Sequence, residues 1–136
     1  MLSHKYIILD RDGVINHDSS AYIKNPQEWR PIKRSLEAIS LLTKNSYRIL
    51  ILSNQAGVSR GIIKYEDLIQ IHNKFVSSCL EHGGKIFSTY YCYDHPDSNS
   101  NKRKPQPGMY LDIADRLGIN LSDVFAVGDS PKDMIA

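Results

Sequence analysis

Cysteine is scarce in this chain: Cys79 and Cys92 are the only two among 136 residues. That is too few for a disulfide framework and fits a reducing cytoplasm. Long apolar runs are missing as well. None approaches the ~20 residues of a membrane span, so no membrane partner is expected. Charge of one sign is also lacking: 17 basic and 15 acidic residues leave a formal net charge of +2. Such a balance gives no reason to expect nucleic acid or an acidic membrane surface as partner. Basic residues are scattered except for Lys102-Arg103-Lys104. No internal repeat and no low-complexity linker interrupts the chain. The start, Met1-Leu2-Ser3-His4-Lys5, runs straight into a short apolar segment, which argues against a secretory signal.

What is present is ordinary in amount and ordered in pattern. Hydrophobic residues make up 41% and charged residues 24%, values of a globular protein able to bury a core. One domain over residues 1–136 and a monomer are expected. Strand and helix patterns alternate, which predicts an α/β fold, a parallel sheet covered by helices. The apolar runs Tyr6–Leu9, Ile49–Leu52, Ile86–Cys92 and Val124–Val127 read as strands. Leu36, Ile39 and Leu42 recur at helical spacing until Asn45-Ser46. Leu68, Ile71, Phe75, Val76 and Cys79 form a second stripe, closed by Gly83-Gly84. A third helix runs from about Met109 to Leu117 and stops at Gly118, and Pro131 to Ala136 begins a fourth.

Four loops combine into one chemical inventory. Asp10-Arg11-Asp12-Gly13-Val14-Ile15-Asn16 directly follows the first strand, placing two carboxylates at its C-terminal edge. In open α/β sheets that edge is where ligands bind. Neighbouring acids repel, which favours one protonated and one ionised partner: a nucleophile with a general acid, or a divalent cation site. Gly13 permits a sharp turn or a close approach. Ser53-Asn54-Gln55 follows the second strand, Arg103-Lys104-Pro105 precedes the third helix, and Gly128-Asp129-Ser130 follows the last strand. Carboxylates, a hydroxyl beside backbone amides and a lysine are what phosphoryl transfer requires. Asp10 and Asp129 are the natural pair for Mg²⁺, which takes hard oxygen ligands and would offset the repulsion between carboxylate and phosphate.

Each loop also has a plainer explanation. Asp10 to Gly13 could be a surface turn, Ser53 a cap, and Arg103-Lys104 a solvated charge cluster. Asp129 and Asp133 could complement a helix dipole. Those explanations must all hold independently, whereas one site accounts for every loop.

The four segments resemble the four motifs of the haloacid dehalogenase (HAD) superfamily of phosphatases. Asp10 to Asn16 with Ser53-Asn54-Gln55-Ala56-Gly57-Val58-Ser59-Arg60-Gly61 is similar to its D,D-heptose 1,7-bisphosphate phosphatase and histidinol phosphatase branch. Arg103 to Met109 and Val127 to Asp133 extend the match. The resemblance implies a Rossmann-like three-layer α/β/α sandwich. No large insertion separates Gly13 from Ser53, or Ser53 from Lys104, so no cap domain is expected. It further implies that Asp10 is a nucleophile forming an aspartyl-phosphate, and that Asp12 acts as general acid and then base. Mg²⁺ would be held by Asp10, the Asp12 backbone carbonyl and Asp129, with Asp133 in an outer place. Ser53 and Lys104 would bind the phosphoryl group, and Asn54, Arg60 and Arg103 would touch substrate. The implied activity is a Mg²⁺-dependent phosphomonoesterase acting on a small phosphorylated metabolite. Its substrate would be D-glycero-D-manno-heptose 1,7-bisphosphate, dephosphorylated at C7 for lipopolysaccharide core precursor synthesis. Histidinol phosphate is the alternative within the class, and a non-catalytic phosphate-binding remnant the alternative outside it. A polynucleotide 3′-phosphatase is disfavoured by the weak net charge.

Two departures stand out. Many members of the branch carry a structural zinc loop with a Cys-x-His pair and a later Cys-x-Cys pair. Here Cys92 remains, but Asp94 replaces the histidine, His95 is one place further on, and Ser100 and Lys102 stand at the later pair. A tetrahedral zinc site needs four good ligands, so no structural zinc is expected. Relatives also continue past the position of Ala136, so the C-terminal part of the fold is expected to be missing, with apolar strand surface left exposed.

Overall fold

The computed structural model describes residues 4–136. Part of the segment bearing on a secretory signal, residues 1–3, lies outside the described residues.

Four strands form one parallel sheet: β1 (Lys5–Leu9), β2 (Tyr47–Asn54), β3 (Ile86–Cys92) and β4 (Phe125–Val127), in the order β3-β2-β1-β4. Among the described residues four helices accompany them: α1 (Ser35–Lys44), α2 (Tyr65–Glu81), α3 (Gly108–Leu117) and α4 (Pro131–Ile135). Two short 3₁₀ turns, Pro26–Glu28 and Leu121–Asp123, were not expected from periodicity. Each is capped by an asparagine whose side chain accepts a backbone N–H, Asn25 from Glu28 and Asn120 from Ser122.

Pleat alternation divides the core into two layers. Ile7, Leu9, Ile49 and Ile51 face α1 and α2, packing with Leu36, Ile39, Ile71, Phe75 and Cys79. Ile8, Leu50 and Leu52 face α3, packing with Met109, Tyr110 and Ile113. β1 and β2 are therefore covered on both faces, as in a three-layer α/β/α sandwich. Ile49 to Leu52 are entirely buried, which explains why β2 reads as an unbroken apolar run. Gly83 and Gly118 adopt positive φ at the ends of α2 and α3, where a left-handed residue lets the chain leave the helix. At the β4 edge, Phe125 is 71% exposed, and Val127, Met134 and Ile135 are exposed too. Among the described residues no helix is long and apolar enough to cross a membrane.

Candidate active site

Strand register assembles the site. Leu9 pairs with Ile51 of β2 and with Val127 of β4. The residues just beyond those three therefore emerge together: Asp10, Ser53 and Asp129. Lys104 arrives from the loop after β3. A cleft of about 250 Å³ opens here, lined among others by Asp10, Asp12, Ser53, Asn54, Arg103, Lys104 and Asp129.

Asp10 is buried, and its Oδ1 accepts the Arg11 backbone N–H at 2.8 Å. Burial pushes its carboxyl up to about 6, against the pull of Lys104, whose ammonium lies 3.7 Å away. Asp12 behaves in the opposite way. Burial would raise it too, but the Arg11 guanidinium and hydrogen bonds from Arg11, Asn16 and Gln55 hold it below the usual carboxylate range. Its Oδ1 accepts from Arg11 Nε (2.9 Å) and Asn16 Nδ2 (3.0 Å), and its Oδ2 from Gln55 Nε2 (3.0 Å). The two proton affinities thus diverge, with the higher one on Asp10, the expected nucleophile, and the lower one on Asp12, the expected acid. The cause is burial on one side and Arg11 on the other, with Asp12 only a minor influence on Asp10.

Lys104 is sealed from solvent. Its ammonium donates to the Leu52 carbonyl (2.6 Å) and to Asp133 Oδ1 (2.7 Å). The other Asp133 oxygen accepts the Ser130 N–H at 3.2 Å, closing a capping box at the start of α4. Asn54 clamps the backbone on either side of the Lys104 side chain, donating to its carbonyl and accepting from its N–H, both at 3.1 Å. Ser53 is buried and accepts from Gln55 Nε2 at 3.0 Å. Arg103 lines the cleft, and its Nη1 is buried without a partner.

The cleft suits a hard cation. Asp10, Asp129 and Asp133 bring carboxylate oxygens within 4.8 Å of one another. Both oxygens of Asp133 already have donors, which leaves Asp10 and Asp129 to contact an ion directly. Two glycines make this possible. A Cβ on Gly13 would overlap the Asp129 carboxylate, and one on Gly128 would overlap Asp133. Gly13 also sits at φ +84°, which other residues rarely adopt.

Arg60 is not brought into the cleft. The turn after β2 folds on itself, with Arg60 N bonded to Ala56 O and Ile63 N to Gly57 O, and leaves the Arg60 side chain exposed outside the lining. Sequence reasoning assigned no role to Gln55 and Asn16, although both lie in the quoted motifs, and both hold Asp12. It also missed Lys132 and the Asp18–Tyr22 loop, which line the cleft. Nothing in that loop's composition sets it apart from an ordinary polar turn.

Around Cys92 the residues at the zinc-loop positions have other partners. The Cys92 thiol is buried and pushed up by that burial. Ser100 donates to Asp94 and accepts the N–H groups of Lys102 (3.2 Å) and Arg103 (3.3 Å). His95 Nδ1 accepts from Asp97 N at 3.1 Å. These donor atoms are turned toward one another or toward backbone, an arrangement that does not fit zinc.

The chain is similar to known proteins. Residues 5–134 match the family model described as "Polynucleotide kinase 3 phosphatase". D-glycero-beta-D-manno-heptose-1,7-bisphosphate 7-phosphatase of Bordetella bronchiseptica is 43% identical over 132 residues, covering 97% of this chain and 74% of the relative. The enzyme of the same name from Pseudomonas putida is 42% identical, with 97% and 75% covered. The crystal structure of D,D-heptose 1,7-bisphosphate phosphatase from B. bronchiseptica, complexed with magnesium and phosphate, superposes with a TM-score of 0.94 at 43% identity, over 96% of this chain and 73% of that one. The chain belongs to the polynucleotide kinase 3 phosphatase family, among the HAD-like phosphatases of its heptose-bisphosphatase branch.

Proposed function

We propose that this chain is a Mg²⁺-dependent phosphomonoesterase that removes the C7 phosphate of D-glycero-D-manno-heptose 1,7-bisphosphate. The observation that carries the reading is the meeting of Asp10, Asp129 and the Lys104 ammonium in one cleft. The names of relatives at 42–43% identity support the substrate. Such a step belongs to lipopolysaccharide core precursor synthesis in the cytoplasm, and the chain would act there as a single-domain monomer.

The proposed chemistry runs through the chain's own side chains. An oxygen of Asp10, oriented by the Arg11 N–H, attacks phosphorus. The bond to the sugar oxygen breaks, and its electron pair leaves with that oxygen. Asp12 supplies the proton, and later takes one from the water that cleaves the aspartyl-phosphate. In the free site Arg11 keeps Asp12 ionised; the negative charge of an arriving phosphate raises its proton affinity. Lys104 and Ser53 hold phosphoryl oxygens, while Asn54 fixes the Lys104 backbone. Mg²⁺ held by Asp10, Asp129 and the Asp12 carbonyl would favour ionised Asp10 and screen its repulsion from phosphate. Asp133 would act through Lys104 and the start of α4.

A small substrate suits a cleft of about 250 Å³ bounded by short loops. The family description reads "Polynucleotide kinase 3 phosphatase", and histidinol phosphate is the alternative that the motif resemblance leaves open. The test compares phosphate release from the heptose bisphosphate, histidinol phosphate, fructose 1,6-bisphosphate and a 3′-phosphorylated oligonucleotide, each with and without Mg²⁺. Turnover should be fastest on the heptose bisphosphate, need Mg²⁺ and vanish in Asp10→Asn and Asp12→Asn. Retention of most of the rate by Asp10→Asn refutes the covalent route. Binding of phosphate without turnover of any ester identifies a non-catalytic remnant.

A further inference from the structure

Arg11 is 0% exposed, yet it carries a full charge and sits between the two reactive carboxylates in sequence. Its guanidinium has few partners for so costly a burial. Nε donates to Asp12 at 2.9 Å, Nη1 donates to the Tyr91 hydroxyl at 3.4 Å, and Nη2 has none. The Tyr91 ring also lies against it, 5.4 Å from the guanidinium carbon to the ring centroid. Tyr91 in turn meets His72 of α2, whose Nδ1 is 3.0 Å from the hydroxyl and whose ring packs edge-on against the Tyr91 ring.

Arginine only donates, so the Tyr91 oxygen accepts from it and keeps its own proton free for His72 Nδ1, the direction that the Nε2–H tautomer of His72 takes. His72 is then neutral with its proton on Nε2. Burial, aided by Arg11, lowers its proton affinity in agreement. A continuous line of polar contacts, His72–Tyr91–Arg11–Asp12, thus runs from a groove of about 400 Å³ beside β3, which both His72 and Tyr91 line, to the cleft on the far side.

We propose that Tyr91 and His72 are positioning residues for Asp12, acting through the buried Arg11 guanidinium. Without the Tyr91 hydroxyl, the guanidinium keeps one side-chain acceptor and can swing about it. The Asp12 carboxylate then keeps Asn16 and Gln55 but loses the fixed position of its Arg11 partner. This inference rests on the reading of Asp12 as the acid that protonates the leaving oxygen.

The decisive measurement compares kcat/KM on a sugar phosphate, whose leaving oxygen needs a proton, with kcat/KM on p-nitrophenyl phosphate, whose leaving group does not. Tyr91→Phe should lower the first about tenfold and leave the second within about twofold. His72→Leu should give the same skew, and His72→Asn, which keeps an acceptor near the Nδ1 position, should restore it. If Tyr91→Phe fails to fold, His72→Leu and His72→Asn read the same ratio. Equal loss on both esters, or no change on either, overturns the proposal. A wild-type chain inactive on both esters overturns the reading of the site and this inference with it. A wild-type chain active on both, with variants of unchanged ratio, overturns this inference alone.

Discussion

Lys104 and Asp133 form a 2.7 Å ion pair with both side chains withdrawn from solvent. Asp133 lies in the first turn of α4 and Lys104 in the long loop between β3 and α3, so this contact ties two of the four motif segments together. Removing one partner of a buried pair strands the other charge. Asp133→Asn should therefore destabilise the chain by about 3 kcal/mol, at the low end of that effect because Leu52 O and Asp10 remain near the ammonium. Urea unfolding measures it, and a change below about 1 kcal/mol would show that the pair contributes little.

Gly13 serves the site in two ways, and a pair of substitutions separates them. Gly13→Ala strains a positive φ and pushes a methyl into the Asp129 carboxylate. Gly61→Ala imposes the same type of strain, at φ +72°, with nothing within 4 Å of the new methyl. Both should lose roughly 1 kcal/mol of stability. Only Gly13→Ala should also weaken Mg²⁺ binding, by tenfold or more, as read by calorimetric titration. Equal Mg²⁺ affinity in the two variants would mean that Asp129 is not held where an ion needs it.

Mg²⁺ and protons should compete at Asp10. Its carboxyl is raised by burial from an ordinary 3.8 to about 6. Between those values the folded chain keeps a proton that the unfolded chain has released. The contribution of Asp10 to stability is thus greatest below pH 3.8 and falls as pH rises through 6. Asp12 has the opposite sign: held low, its contribution is present above its unfolded value and lost as pH falls through the folded one. Mg²⁺ requires Asp10 ionised, so it removes the penalty only where the proton has left. The rise in Tm on adding Mg²⁺ should be larger at about pH 7.5 than at about pH 5, and Asp10→Asn should abolish that difference. A Mg²⁺ shift independent of pH in the wild type would contradict the placement of the ion on Asp10.

Much of this was legible in the residues because it depends on period and position. The apolar runs of β1 and β2 and the stripes of α1 to α3 follow from burial, and the two core layers follow from the alternation of Ile7, Ile8 and Leu9, whereas the β4 run is apolar although Phe125 and Val127 are exposed. Motif spacing likewise placed Asp10, Asp129 and Lys104 at one sheet edge. What stayed hidden is three-dimensional in origin. Asn54 has its side chain spent on the Lys104 backbone, Arg60 is turned outward by hydrogen bonds within its own loop, and Arg11 reaches Tyr91, 80 residues away. No local pattern announces which long side chain will be buried or which amide will clamp a distant backbone.

The loop after β3 offers the last test, because its own groups hydrogen-bond across it. Ser100 stands at its centre, donating to Asp94 and accepting the backbone N–H groups of Lys102 and Arg103, immediately before Lys104. Gly108 N reaches back to Asn101 O at 2.7 Å, and a Cβ at Gly108 would overlap that carbonyl. A zinc ion in this place would need thiolates, but the loop itself has no cysteine, and burial pushes up the thiol of Cys92, the last residue of β3. Protein purified without added metal should therefore hold less than about 0.1 zinc per chain by elemental analysis, and a zinc-selective chelator should leave its Tm unchanged. Ser100→Ala, by contrast, releases two backbone N–H groups and should lower Tm by several degrees, since about 1–2 kcal/mol is lost. Stoichiometric zinc, or a Tm that drops with the chelator and not with Ser100→Ala, would show that metal rather than the serine hydroxyl holds this loop.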